Sequence, residues 1–131
     1  MPFSLDGRVA LVTGSSTGLG KAIAFGLARS GARVALNYFN NEERARKTFS
    51  EFEDEGFEGL MLRGNVSDEE SVNVLCAEIA DKLGGIDILV VNATPDQPQL
   101  PIEEFTWQHF QTMIDFFIKS PYLLTRLSCR I

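Results

Sequence analysis

The chain has 131 residues, 44% of them hydrophobic and 23% charged, which excludes a disordered polymer and leaves room for one domain rather than two ordinary ones. A formal net charge of −6 and a pI near 4.7 exclude a general nucleic-acid or anionic-membrane binder, because both need a basic face. Cys76 and Cys129 are too few for a disulfide framework, "MPFSLDGR" carries no apolar leader, and no apolar run is long enough to span a bilayer, so reduced thiols, no metal site and a cytoplasmic location are expected.

"RVALVT", from Arg8 to Thr13, is a short β-branched run that predicts a buried strand. From Gly18 the period becomes helical, with Leu19, Ile23, Leu27 and Ala28 on one face and Gly31 at the position of a left-handed cap. "ARVALNY" predicts a second strand. Ala45, Phe49 and Phe52 then mark one face of a helix that Gly56 ends. "EGLMLRGNV" predicts a third strand. Ser67 and Glu70 stand at capping-box spacing before a helix with Val72, Leu75, Cys76, Ile79 and Leu83 on one side, stopped by Gly84 and Gly85. "IDILVVNA" predicts a fourth strand buried on both faces, from its unbroken apolar character. After the Pro-rich loop "TPDQPQLP" come a short helical turn, "IEEF", and a long apolar-periodic segment from Thr106.

Strand and helix alternate with short links, which predicts an α/β fold: parallel strands, right-handed crossovers and helices on both faces, an αβα sandwich. No repeat, low-complexity tract or compositional break divides residues 1–131, so one domain is expected. Sheets of this kind usually carry further strands beyond the switch point, so the chain looks cut off, with its fourth strand as an apolar edge.

"LVTGSSTGLGKAIA" places three glycines between a strand and a helix. At Gly14 the chain turns sharply out of the strand, and at Gly18 bare backbone admits a close-lying phosphate. Gly20 allows the helix to pack closely on the strand. The free N–H groups at the helix start supply local attraction for an anion, and Ser15, Ser16 and Thr17 add hydroxyl donors. Such a loop points to the pyrophosphate of a dinucleotide.

The spacing T-G-x3-G-x-G, together with "VVNAT" after the fourth strand, resembles the short-chain dehydrogenase/reductase family. The resemblance runs from "LDGRVALVTGSSTGLG" to "FFIKSPYLLTR", and within the family it leans toward 3-oxoacyl-(acyl-carrier-protein) reductases and glucose dehydrogenases. It implies a Rossmann fold with about four strands here, in the order 3-2-1-4. It also implies the cofactor-binding half of an oxidoreductase that interconverts a carbonyl and an alcohol. Gly14, Gly18, Leu19 and Gly20 would hold the pyrophosphate, with Ser15 and Ser16 near the adenosine phosphate and ribose. Asn65 and Val66 would touch the adenine, and Asn92 and Ala93 would stabilise the sheet along the cofactor. Thr94 replaces a family glycine. The resemblance further implies a homo-oligomer built through the C-terminal helix, with Phe110, Phe116, Phe117 and Tyr122 supplying aromatic area.

The residue ending the second strand usually reads the adenosine ribose. Here Asn37-Tyr38 carries no charge, whereas a carboxylate about 4 Å from a 2′-phosphate would cost roughly 1 to 4 kcal/mol. The sequence therefore favours NADP, with NAD open, although Thr17 stands where many NADP-dependent relatives have a basic residue.

The family's Tyr-x-x-x-Lys pair and preceding Ser are missing, so no catalytic residue is expected in this chain. The near match, Tyr122 to Arg126, has Arg in place of Lys and falls in a packing helix. Phe117 aligns with a family Asn of the proton relay. His109 reads as a surface histidine without a partner. Two alternatives stand beside the cofactor-binding half: a divergent, non-catalytic nucleotide-binding protein, and an interaction protein that pairs through the fourth strand and aromatic tail.

Overall fold

The structure, a computed structural model, describes residues 3–96 and 99–128, so Cys129 and part of the Pro-rich loop lie outside the described residues. In chain order it contains β1 (Val9–Val12), α1 (Gly18–Arg29), β2 (Arg33–Tyr38), α2 (Glu42–Asp54), β3 (Gly59–Arg63), α3 (Glu69–Leu83) and β4 (Ile88–Val90). A 3-10 turn (Ile102–Glu104), α4 (Trp107–Ile114), a π-helical segment (Asp115–Lys119) and α5 (Ser120–Ser128) follow.

The sheet is parallel throughout, in the order β3-β2-β1-β4. Leu11 pairs with both Ala35 and Leu89, and Leu36 pairs with Met61, so the strand ends line up along one edge. Alternation divides the side chains between two cores. Val9, Leu11 and Ala35 face α3 and α5, where they meet Val72, Leu75, Ile79 and Leu124. Ala10, Val12, Val34 and Leu36 face α1 and α2, where they meet Ala24, Phe25 and Phe52. Phe25 and Phe52 pack edge to face at 5.5 Å, and full burial of Phe52 alone is worth about 1.5–3 kcal/mol. The three-layer αβα architecture and the 3-2-1-4 order follow the sequence reading.

Three local expectations need correction. The fourth strand was expected to be long and buried on both faces, but only Ile88–Val90 pairs, and all three residues are half-buried. β4 is the outer strand of the sheet, so part of its surface has no covering layer. The third strand likewise stops at Arg63, which pairs with Tyr38, the last residue of β2; Gly64 N–H still donates to Tyr38 O at 2.8 Å. The cap of α3 is Asp68 rather than Ser67: Asp68 Oδ2 accepts the Ser71 N–H at 2.9 Å, while Ser67 donates both its N–H and its hydroxyl to Asn65 Oδ1.

His109, expected to have no partner, is half of a reciprocal cap. Its Nδ1 accepts the Thr106 N–H at 3.0 Å, Thr106 Oγ1 accepts the His109 N–H at 3.3 Å, and the imidazole stands edge-on to Phe105. The long segment after Thr106 is helical, as its period predicts, but it widens into a π turn over Asp115–Lys119.

Candidate functional site

The loops that leave the C-terminal ends of the four strands surround a groove of about 690 Å³. In open parallel sheets this crevice, at the point where strand order reverses, is where ligands bind. The reversal here lies between β1, which leads to α1, and β4 on its other side.

The glycine loop is built to a backbone shape. Gly14 has φ +60°, and a Cβ there would sit 2.8 Å from Ala93 Cα. Gly18 has φ +61°, and no protein atom lies within 4 Å of where its Cβ would be. At Gly20 a Cβ would lie 2.4 Å from Gly14 O and 2.5 Å from the Asn92 amide nitrogen, so its absence lets the start of α1 sit close to the turn that leaves β1. Thr17 is the N-cap of α1, in extended conformation and without a side-chain cap bond, and no acidic residue stands in the first turn. The first intrahelical bond runs from Lys21 N–H to Thr17 O, so the amides before it lie open at the positive end of the helix.

Around this loop the side chains act mostly as struts. Thr13 Oγ1 accepts the N–H groups of Asn92 and Ala93 at 2.9 and 3.0 Å, and Asn92 Nδ2 donates to Gly14 O at 3.0 Å. These bonds tie the end of β4 to the glycine turn.

Ser15 departs from its expected role. It is fully buried; its hydroxyl donates to Val12 O at 2.7 Å and accepts the Asn37 N–H at 2.9 Å, so it offers nothing to the groove. Thr48 Oγ1 donates to Ser16 O at 2.5 Å and steadies the same turn.

Asn37, expected to face the adenosine ribose, is only 2% exposed. Its Oδ1 accepts the Gly14 N–H at 3.1 Å, and its Nδ2 lies 3.3 Å from each of the carbonyls of Tyr38, Leu62 and Gly64. The side chain joins the ends of three strands under the groove floor. A carboxamide does this well because it presents a donor and an acceptor side by side.

Of the expected residues, Gly14, Ser16, Thr17, Leu19, Asn37, Tyr38, Asn65, Val66, Asn92, Ala93 and Thr94 line the groove. Ser15, Gly18 and Gly20 shape the loop behind it. Sequence reasoning missed Phe39, Asn40, Asn41, Arg44, Gly64, Asp96 and Phe116, which also line it. Most of these follow a strand end by a few residues, a signal that a parallel sheet makes usable. Phe116 had a different problem: Phe117 was the aromatic singled out for the site, but Phe117 is 47% exposed and lies outside the groove. The π turn shifts the helical phase at this point, and Phe116 is the ring turned inward, against the α3 and α5 core.

Charge in the groove is sparse and polarised. Among the described lining residues, Arg44 is the one cation, on the β2 side, and Asp96 is the one anion, on the β4 side. Lys21, in the first turn of α1, instead pairs with Glu51 at 2.6 Å and lies over the Phe25 ring. That hydrogen bond lowers the Glu51 pKa below its ordinary value. Tyr122 accepts from Arg126 Nη1 at 3.3 Å on the exposed side of α5, away from the groove. Among the described residues there is no cluster of metal-ligating side chains, and no helix is long and apolar enough to cross a membrane.

Known proteins resemble this chain in sequence and in fold. The chain is 34% identical over 122 residues to general stress protein 39 of Bacillus subtilis, covering 93% of this chain and 43% of that protein. It is 36% identical over 102 residues to a 3-oxoacyl-[acyl-carrier-protein] reductase of Staphylococcus aureus, covering 76% of this chain and 42% of the reductase. Among solved structures, a short-chain dehydrogenase from Burkholderia cenocepacia in complex with NADP superposes with a TM-score of 0.88 at 30% identity, over 96% of this chain and 51% of that one. A dehydrogenase/reductase from Sinorhizobium meliloti does so with a TM-score of 0.88 at 38% identity, over 95% and 49%. The chain thus spans about half the length of the relatives it matches. The short chain dehydrogenase model matches residues 8–131, and with the glycine loop, strand order and switch-point groove in place, the chain belongs to the short-chain dehydrogenase family.

Proposed function

We propose that the groove binds NADP(H) and that residues 1–131 form the nucleotide-binding domain of an oxidoreductase acting on a carbonyl or alcohol, a 3-oxoacyl reductase-like activity being one candidate. The observation that carries this reading is the open N-terminus of α1. Its amides have no side-chain cap, its first turn holds no carboxylate, and it faces the groove across a turn whose glycines leave bare backbone. A pyrophosphate satisfies such amides and is favoured by the helix dipole. NADP occupies the Burkholderia relative, and NADPH is bound in another structural neighbour of 28% identity and TM-score 0.87.

When bound, the dinucleotide supplies a hydride equivalent. The chain's own residues hold and orient it: the α1 amides and Thr17 at the pyrophosphate, Val66 and Asn65 beside the adenine, and Asn92, Ala93 and Thr94 along the far half. The chain has no Tyr-x-x-x-Lys pair, and Tyr122 stands away from the groove, so the 131-residue chain is expected to bind cofactor without turning over substrate. Exposed Trp107, Phe110, Phe117, Ile118 and Tyr122 on the C-terminal helices support self-association through that face.

The direct test is a fluorescence titration of the purified chain with NADPH and NADH. Saturable binding, tighter for NADPH, is the expected result. Binding of neither by a chain with a folded circular dichroism spectrum would overturn the reading and favour an interaction protein.

A further inference from the structure

We propose that Thr48, on the buried face of α2, is a positioning residue for the pyrophosphate: its hydroxyl fixes the Ser16–Thr17 peptide so that the Thr17 N–H faces a phosphate oxygen. This rests on the cofactor reading above and concerns the loop on which that reading depends.

A threonine inside a helix ordinarily turns its hydroxyl out to water or back to a carbonyl of its own preceding turn. Thr48 does neither. It is 2% exposed, between Ala45 and Phe52 on the face that α2 buries, and its Oγ1 donates to Ser16 O, 32 residues earlier in the chain, at 2.5 Å.

The other peptides of the glycine loop are held from different sides. Asn37 accepts the Gly14 N–H on Oδ1 and the Ser15 N–H on its backbone oxygen, and Asn92 Nδ2 donates to Gly14 O. Among the described residues, Thr48 is the partner of Ser16 O, and no acceptor meets the Thr17 N–H. The peptide between them is trans, so its C=O and N–H point in opposite directions. Holding Ser16 O toward α2 therefore turns the Thr17 N–H away from α2. Ser16 and Thr17 line the groove and Thr48 does not, so away from α2 means toward the groove. Gly18, at φ +61°, then carries the backbone into α1, whose open amides follow directly. Successive N–H groups presented by such a turn form a concavity that suits an anion.

The test compares the wild-type chain with Thr48→Val, which keeps the branched shape and removes the hydroxyl, and with Thr48→Ser, which keeps the hydroxyl. Kd is measured for NADPH, NADH and ADP, and the Thr17 amide is followed by NMR during the NADPH titration. Thr48→Val is expected to weaken all three ligands by a similar factor, roughly ten-fold, because a diphosphate is common to them. Thr48→Ser should stay within about two-fold of the wild type. NADPH should move the Thr17 amide proton downfield in the wild type and in Thr48→Ser, and by less in Thr48→Val. Unchanged affinity in Thr48→Val, with both dinucleotides bound by the wild type, would overturn this proposal alone. Equal losses in the two variants would also overturn it, since packing rather than the hydroxyl would then hold the loop. Should Thr48→Val fail to fold, the wild type decides: a Thr17 amide that bound NADPH leaves unshifted would overturn the proposal. Binding of neither dinucleotide by the wild type would overturn the cofactor reading and this proposal with it.

Discussion

The N-termini of the helices fall into two kinds. At α2, Asn41 accepts the Arg44 N–H and Glu42 and Glu43 stand in the first turn; at α3, Asp68 accepts the Ser71 N–H and Glu69 and Glu70 follow. At α4, Thr106 and His109 cap each other. Each of these helices satisfies one of its free amides with a side chain of its own and, in α2 and α3, places its own negative charge at the positive end of the dipole. At α1 the chain does neither. In an acidic protein with carboxylates at other helix starts, that gap is the observation on which the proposed pyrophosphate site rests.

The sharpest way to break the contrast is to give α1 the cap its neighbours have. Thr17→Asp should stabilise the fold by about 0.5–1 kcal/mol, through a side-chain cap and a favourable charge at the helix start. The same carboxylate should weaken NADPH binding roughly ten- to thousand-fold by facing the pyrophosphate. Thermal melts and titrations on one preparation read both. A cap that raises stability and leaves NADPH affinity untouched would mean the phosphate lies elsewhere.

The strut beneath the loop comes next. Asn37→Ala leaves the Gly14 N–H and the carbonyls of Leu62 and Gly64 without their partner, and a loss of about 2–4 kcal/mol in urea unfolding is expected. The ratio of NADPH to NADH affinity should stay the same. A changed ratio would return Asn37 to the ribose.

A capped helix supplies the control. Asp68→Ala should cost about 1 kcal/mol of stability with no effect on cofactor affinity, since its bond to Ser71 N–H only closes the start of α3. The smallest effect concerns the ion pair that ties α1 to α2. Glu51 has a lowered pKa in the folded chain, so its contribution is present above the unfolded carboxylate pKa and is lost as pH falls through the folded value. Wild type should therefore unfold at slightly higher urea than Glu51→Gln at pH 7, and the gap should narrow as pH falls below the ordinary carboxylate range. A gap that did not change with pH on acidification would show that Glu51 acts through packing rather than charge.

Much of this was legible in the residues themselves. Apolar period and glycine punctuation mark every strand and helix from Val9 to Leu83, and the glycine loop marks the edge of the sheet where the groove lies. Legibility failed where a side chain's partners lie far away in sequence. Asn37 reads as a residue facing the ligand until Gly14 and Leu62 are brought beside it, and Ser15 reads as a donor until its hydroxyl meets Val12 O and Asn37 N–H. Asp68 beat Ser67 to the cap because Asn65 had already engaged Ser67. Phe116 replaced Phe117 at the groove because a π turn alters the phase that a 3.6-residue period assumes.

What the sequence determined by itself is local and periodic: which segments are strands or helices, which faces are apolar, and where φ must be positive. Those depend on a residue and its near neighbours, so a linear reading reaches them. Which polar groups are left over for a ligand was decided only by the tertiary structure. A hydrogen-bonding group is available only if no partner reaches it first, and the partners of Asn37, Ser15 and Lys21 arrive from elements 3 to 30 residues away, carried there by the parallel crossovers. The open end of α1 and, among the described residues, the unpaired guanidinium of Arg44 are what remains once those bonds are made.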